Sequence, residues 1–436
     1  IMYTNKPRRM QFILQIKGNY IYKDGSPFYW QGDTAWLMFY NLGREEIARY
    51  LKNRSLLGYN VIQVVLNYSS DKSRDINEMP HERADVYSEE YFAKVTYAIE
   101  YAASLGMYFA VLPLWGSLVK NALMTECEIM EYVDMVSRRL GKYDNVIWVV
   151  GGDVRGDVNF ALFDKIGKKL KENTPEKLVT FHPFGRTGSY LWFNDAPWLD
   201  FNMFQSGHRR YDQLTLSSWD DNNLQNEDAF GEDNYKYVLK NFSYKIKKPC
   251  LDAEPSYEGI VQGLHDPMEP YWEARHVRRY MYWSVLAGAC GFTYGNNAII
   301  QFSKDGRGAY GCRETWEYAL HSPGGAEVQY LFALMKRLNF IKGRPMNETV
   351  LNNKILSHYI CAFGGDNYYM VYTYKGDLVR IDFSAYSKKR MAAYFVNPEN
   401  GSMSYINTFC GQNTLELRPV RRRELSNDWL ILFEEE

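Results

Sequence analysis

The chain has 436 residues, 46% of them hydrophobic and 24% charged, with a formal net charge of −1. That balance describes a globular protein long enough for a barrel plus a smaller module, and it offers no basic surface for nucleic acid or for a membrane surface. No apolar run reaches the roughly 18 residues that a membrane-spanning helix needs, so no span is expected.

Aromatic residues are the unusual part: 36 Tyr, 23 Phe and 11 Trp make up 16% of the chain. They serve either a large core or a cleft that stacks rings against flat, weakly polar ligands such as sugars. Six cysteines are scattered without a CxxC pair or a His partner at ligand spacing, so neither a metal site nor a cofactor is expected. Cys250 and Cys290 lie in apolar context and read as small core residues. A domain this large needs no disulfide staples, which leaves a periplasmic or extracellular home open. The chain opens Ile1-Met2-Tyr3-Thr4. An upstream segment, such as a signal peptide, is expected to have been removed, with a cytoplasmic location as the alternative.

In chain order, Gly18 to Gly25 reads as a strand closing into an Asp24-Gly25 hairpin turn. Phe28-Tyr29-Trp30-Gln31-Gly32-Asp33 is a buried type of strand, and Arg44 to Leu57 has helical periodicity capped by Gly58. The alternation then repeats. Strands are expected at 61–66, 108–112, 146–153, 178–183, 201–205, 249–254 and 291–295. Helices are expected at 89–105, 125–140, 160–172, 233–245, 271–288 and 325–340. Thr125 and Glu128 form a capping box at the start of one of them. Eight strands alternating with helices call for a parallel sheet covered on both faces, and closure into a (β/α)8 TIM barrel over residues 1–344. The link after the fifth strand is weakly helical, and an open doubly wound sheet is the alternative. No Gly-rich phosphate loop follows the first strand to favour it. From residue 345 to 436 the texture changes to short strands at 359–363, 368–374, 378–383, 391–397, 415–417 and 429–433. Gly-Gly-Asp-Asn, Lys-Gly-Asp and Pro-Glu-Asn-Gly turns separate them, so this part reads as a small antiparallel β-sandwich.

Barrels carry their chemistry at the C-terminal ends of the strands. The residues expected there are Asp33 and Trp36 (strand one), Asn67 (two), Trp115 (three), and Asp153 with Arg155 (four). His182 (five), Gln205 with His208 (six), Glu254 (seven), and Tyr294 with Asn296 (eight) complete the rim. Amides and carboxylates suit sugar hydroxyls, and rings suit the apolar faces of sugars. The rim has no His/Cys cluster for a metal and no Ser or Cys nucleophile beside a base. Glycosidic cleavage needs two carboxyl groups flanking one bond. Strands four and seven lie on opposite sides of such a barrel, and a separation of about 5–5.5 Å would suit a retaining double displacement. Glu254, locked before Pro255, is the expected nucleophile. Asp153, after Gly151-Gly152, is the expected acid/base. Each has a plain competitor: a strand-end carboxylate is commonly a cap or a salt-bridge partner, and Asp33 would then hold the rim by hydrogen bonds. His182 and His208 could equally be satisfied core histidines. Asp252 is read as out of register with Glu254 and structural. The loops 67–88 and 206–232 are expected to shape the pocket, and Arg209-Arg210 and Arg421-Arg422-Arg423 to be solvated surface.

These residues resemble a known group. An acid on strand four and a nucleophile on strand seven is the pattern of the retaining barrel glycoside hydrolases. More narrowly, Tyr29-Trp30-Gln31-Gly32-Asp33-Thr34-Ala35-Trp36 with Gly58-Tyr59-Asn60-Val61-Ile62-Gln63 resembles the apiosidase-like, cellulase-related hydrolases of gut Bacteroidetes. Trp148-Val149-Val150-Gly151-Gly152-Asp153, Gln205-Ser206-Gly207-His208 and Asp252-Ala253-Glu254-Pro255 are similar too. The likeness spans about residues 10–340, and the tail resembles a small C-terminal β-domain of the collagen-binding type. The wider clan usually carries Asn-Glu after strand four, whereas this chain has Gly152-Asp153, as the narrower group does. Asp is one methylene shorter, so the acid must reach further or the substrate must sit closer. The resemblance implies an oligo- or polysaccharide substrate, such as an apiosyl side chain of pectin or another plant or host glycan. A barrel that holds a glycan without cutting it is the alternative. A metal-dependent barrel hydrolase is a third reading, which the missing ligand cluster disfavours.

Overall fold

The computed structural model describes residues 13–69, 79–213, 229–420 and 427–436. The Arg421–Arg423 run, the opening residues and parts of the loops 67–88 and 206–232 lie outside them.

A three-stranded antiparallel sheet, Leu14–Lys17, Tyr20–Lys23 and Ser26–Phe28, precedes the barrel. Its second turn is the two-residue Asp24-Gly25, where both residues have positive φ (50° and 80°), the backbone that matches the strand twist.

Eight strands then form the barrel: β1 (Trp30–Thr34), β2 (Val61–Asn67), β3 (Tyr108–Leu114), β4 (Val146–Val154), β5 (Val179–Pro183), β6 (Asn202–Gln205), β7 (Cys250–Asp252) and β8 (Gly291–Tyr294). They run parallel in the order β5-β4-β3-β2-β1-β8-β7-β6. The helices that cover them are α1 (Arg44–Leu56), α2 (Glu89–Ser104), α3 (Glu126–Leu140), α4 (Phe160–Asn173), α5 (Tyr235–Ser243), α6 (Ala274–Leu286) and α7 (Pro323–Arg337). Every residue of β2 and β3 is buried, as strands covered on both faces require. The Thr125–Glu128 capping box of α3 is formed.

The seam between β5 and β6 is the irregular place. Only a four-residue helix, Tyr190–Phe193, covers it. The chain turns at Arg186 (φ +63°) into a two-residue strand, Thr187–Gly188, antiparallel to β6. Asp200 N–H to the Val179 carbonyl (2.9 Å) and Thr180 Oγ1 to the Phe201 carbonyl (2.7 Å) draw the two sides together. The barrel is therefore near-closed, with its weak unit where the sequence is weakly helical.

The C-terminal part is antiparallel β throughout, with strands at Arg344–Pro345, Ile360–Gly364, Tyr368–Thr373, Trp429–Glu435, Met391–Val396 and Met403–Phe409 forming one sheet in that order. A two-stranded ladder, Val379–Asp382 with Thr414–Leu417, forms beside it. Met403–Phe409 goes unread in the sequence because it is an edge strand with little buried alternation. Alternation along the inner strands sorts their side chains into two cores. Ile360, Ala362, Tyr369 and Val371 join the domain's own cluster, while Cys361, Phe363, Met370 and Tyr372 join the barrel's. Phe340 stacks on Phe363 (3.8 Å between centroids), Tyr282 on Tyr372 (4.3 Å) and Tyr235 on Tyr359 (3.8 Å). Arg278 of α6 grips both oxygens of Asp428 (2.8 and 2.9 Å) and also pairs with Glu327 of α7.

Candidate active site

β4 begins as a buried apolar run and ends in a distortion. Gly151 and Gly152 have φ of +88° and +101°, and Asp153, which carries a side chain, has +48°. Space as well as backbone demands glycine there: a Cβ on Gly152 would lie 2.7 Å from Leu112 and 2.8 Å from Trp115. The pairing of β4 with β5 slips between Gly151 and Val154. This bulge carries Asp153 out of the strand and opens its side chain to solvent at the barrel mouth, so the reach that the shorter acid needs comes from the backbone.

β7 ends at Asp252, and the chain bends through Ala253 to Glu254, which is 8% exposed. Gln63 Nε2 holds the Ala253 carbonyl at 3.0 Å, and the Glu254 carbonyl accepts Gly207 N–H at 3.2 Å. Asp252 is structural, as expected, but not by register: two residues from Glu254, it would share a face on a regular strand. The bend separates them. Asp252 accepts from Ser206 Oγ (2.7 Å) and Asn234 Nδ2 (3.0 Å) in the interior.

Two histidines converge on Glu254. His208 Nε2 is 3.0 Å from Oε1, and His182 Nε2 is 3.4 Å from Oε2. His208 Nδ1 accepts Tyr257 N–H at 3.4 Å, so its proton is on Nε2 and is donated to Glu254. Burial pushes His208 down to about 4 and His182 down to about 3, so both rings are neutral near pH 7. Burial raises Glu254 to about 8, against the pull of the Tyr257 hydroxyl. Asp153 opens to the cleft yet is ringed by protein. That crowding, followed by the charge of Glu254, raises it to about 7, while a hydrogen bond with Gln205 opposes the rise. Two carboxyls that each feel burial, and one of which feels the other, hold a shared proton near neutrality. Burial alone leaves Glu254 the higher of the two, whereas the imidazole N–H that faces it draws the other way, toward an ionised Glu254 and a protonated Asp153.

Trp36 meets His182 (5.3 Å) and Trp115 (5.2 Å) edge to face, and the half-buried Trp115 stands beside the bulge. Asn67 is buried at the end of β2, 3.6 Å from Met124 Sδ. Arg155 is at the rim, bidentate to Asp157 (3.0 and 2.6 Å) and over the Trp192 ring.

Three expected substrate contacts are corrected. Asp33 is fully buried and spends both oxygens on protein: Thr34 N–H at 2.8 Å, Tyr50 hydroxyl at 2.7 Å and Arg54 Nε at 2.5 Å. The Tyr294 hydroxyl donates to Glu258 (2.7 Å) inside the barrel. Asn296 caps the short helix that follows β8 and bonds Ser322. These three hold the scaffold, the reading already available for Asp33.

Two residues at the site escape the sequence reading. Tyr257 locks the His208 ring and lies against Gly295, where a Cβ would come within 2.1 Å of its ring. Gln63 is a polar residue inside the apolar run Val61–Leu66, a signal that was there to be read. Among the described residues, no group of three or more His, Cys, Asp or Glu could hold a metal ion, and no helix is long and apolar enough to cross a membrane.

Residues 16–342 match the family model described as "Apiosidase-like, catalytic domain". The chain belongs to this apiosidase-like family. Residues 345–434 match a second model, "Putative collagen-binding domain of a collagenase". Among solved structures, the apiosidase-like chain is similar to a glycoside hydrolase at 35% identity and a TM-score of 0.87, with 97% of each chain covered. It is also similar to a glycoside hydrolase family 5 protein from Bacteroides vulgatus ATCC 8482 at 34% identity and a TM-score of 0.87, covering 97% of this chain and 94% of that one. An endo-1,4-beta-mannanase from Rhizomucor miehei, at 14% identity and a TM-score of 0.50, shares the fold over 73% of this chain and 99% of its own. A comparison with curated protein sequences finds no match. The apiosidase-like chain is thus a glycoside hydrolase by family, and its substrate is a carbohydrate.

Proposed function

We propose that the chain cleaves O-glycosidic bonds by a retaining double displacement, with Glu254 as nucleophile and Asp153 as acid/base. The observation that carries this reading is that one imidazole, His182, lies 3.4 Å from both the backbone N–H of Asp153 and Glu254 Oε2, while a second, His208, donates to Glu254 at 3.0 Å. Ionised Glu254 attacks the anomeric carbon while Asp153 gives its proton to the departing oxygen. Asp153, now an anion, then takes a proton from water, which attacks the glycosyl–enzyme ester and frees Glu254. Trp115 and Arg155, partly open at the rim, are the groups left to meet sugar, with Trp36, Asn67 and Gln205 buried behind them.

A plant or host glycan is the proposed substrate class, and a periplasmic or extracellular location belongs to the same proposal, to be checked by cell fractionation. The deciding experiment incubates the protein with a 2-deoxy-2-fluoro glycosyl fluoride panel and maps the adduct by mass spectrometry. A glycosyl group on the Glu254 peptide is expected. An adduct on another residue, or turnover persisting in Glu254→Gln, overturns the assignment.

A further inference from the structure

We infer that His182 is a positioning residue that ties the backbone of Asp153 to the carboxylate of Glu254 through a single imidazole held in the Nε2–H form. This rests on the proposed roles of those two acids and assigns His182 a task other than touching sugar.

His182 has no exposed surface, so substrate does not reach it. Its Nδ1 faces the backbone N–H of Asp153 at 3.4 Å. A backbone N–H can only donate, so Nδ1 must accept and the ring proton sits on Nε2. That Nε2 lies 3.4 Å from Glu254 Oε2. Both atoms are buried and neither has a formed hydrogen bond, so the contact between them is a close approach. A buried donor and a buried acceptor therefore face each other, with the Tyr257 hydroxyl as another donor near Glu254. A shift of a few tenths of an ångström would bring the pair to ordinary hydrogen-bond distance, roughly 3 Å.

The ring itself has little freedom. It stands at the end of β5 and meets Trp36 edge to face, with an interplanar angle of 86°. Its Nδ1 partner is the left-handed Asp153 (φ +48°), a strained backbone form that needs surrounding support. The groups that bear on Glu254 are Asp153 from β4, His182 from β5, His208 from beyond β6 and Tyr257 from its own loop. His208 and His182 take one carboxylate oxygen each, but only His182 also touches Asp153. A shift of the bulge would move the imidazole, and with it the donor aimed at Oε2.

Two amides separate the arms. Asn places its oxygen near the Nδ1 position and loses the donor toward Glu254. Gln reaches the Nε2 position and loses the acceptor at Asp153. The experiment follows the Glu254 carboxyl by 13C NMR in glutamate-labelled protein, its signal identified by subtraction of Glu254→Gln, and the His182 ring by 15N NMR. The His182 ring is expected to stay neutral with Nε2 protonated. In His182→Asn the Glu254 midpoint should rise by about one pH unit, the worth of a lost hydrogen bond to a charged group. In His182→Gln it should return toward the wild-type value. Circular dichroism on both variants separates these effects from unfolding. An Nδ1–H tautomer overturns the inference, and so does a Glu254 midpoint that moves equally in both variants or in neither. Failure of the parent reading looks different: Glu254→Gln would still cleave glycosides while the tautomer and the shifts remained.

Discussion

His208 donates its Nε2–H to Glu254 at 3.0 Å while the backbone N–H of Tyr257 holds its other nitrogen at 3.4 Å. The donor that favours an ionised Glu254 is thus fixed by the loop that follows Glu254 itself, and Pro255 stiffens the join between them. Carboxylate and donor move as one piece, and Asp153, carried by a different strand, has no such imidazole donor among the described residues.

Replacing Glu254 by Gln should lower kcat on the order of 10⁴-fold or more, with an unchanged circular dichroism spectrum. Asp153→Asn should fall by about 10²–10⁴-fold on substrates with alkyl leaving groups, which need a proton. It should fall far less on aryl glycosides, which do not. Equal losses on both classes would remove Asp153 as the acid.

Removing Glu254 also removes a negative charge that raises Asp153. In Glu254→Gln the Asp153 titration should therefore move down from about 7. Carboxyl NMR reads this directly, and an unmoved midpoint would mean that the two groups are not coupled.

Stability should carry the same imprint. Glu254 rises from 4.5 to about 8 on folding, so between those values the folded state keeps a proton that the unfolded chain has released. Its contribution is fully present below about 4.5 and is lost as pH rises to about 8. The melting-temperature difference between Glu254→Gln and wild type should accordingly favour the variant more at pH 8 than at pH 5. A difference that does not change with pH would contradict the raised value.

Gly152→Ala should disable the site from beneath. It places a methyl within 2.8 Å of both Leu112 and Trp115 at a φ of +101°, and strain of this kind costs at least about 1–3 kcal/mol. Activity should fall further than thermal stability explains, because the bulge that presents Asp153 shifts. Wild-type kcat in a folded Gly152→Ala protein would rule out the bulge as the presenting element.

Much of this was legible because it follows from periodicity. Buried parallel strands read as near-continuous apolar runs, so β2, β3 and β4 emerge from Val61–Leu66, Tyr108–Leu112 and Val146–Val150. The two catalytic candidates stand out as carboxyls that end such runs. Direction and partnership were not legible. Asp33, Tyr294 and Asn296 sit at strand ends as expected, but their polar atoms turn inward to Arg54, Glu258 and Ser322, partners remote in sequence. Asp252 shows the limit of counting along a strand, since parity means nothing once the backbone bends. The tautomers of His182 and His208 depend on amides 29 and 49 residues away, which no local pattern encodes.

The C-terminal sheet lends one of its faces to the barrel's core, and Arg278 of α6 is clamped between Glu327 and Asp428. An intramolecular boundary of that kind has no clean place to part. Heating should therefore melt the barrel and the β-domain in one cooperative calorimetric transition rather than two. A chain cut near residue 344 would leave aromatic rings and charged groups bare on the barrel, so the β-domain is less a passenger than a wall of the enzyme.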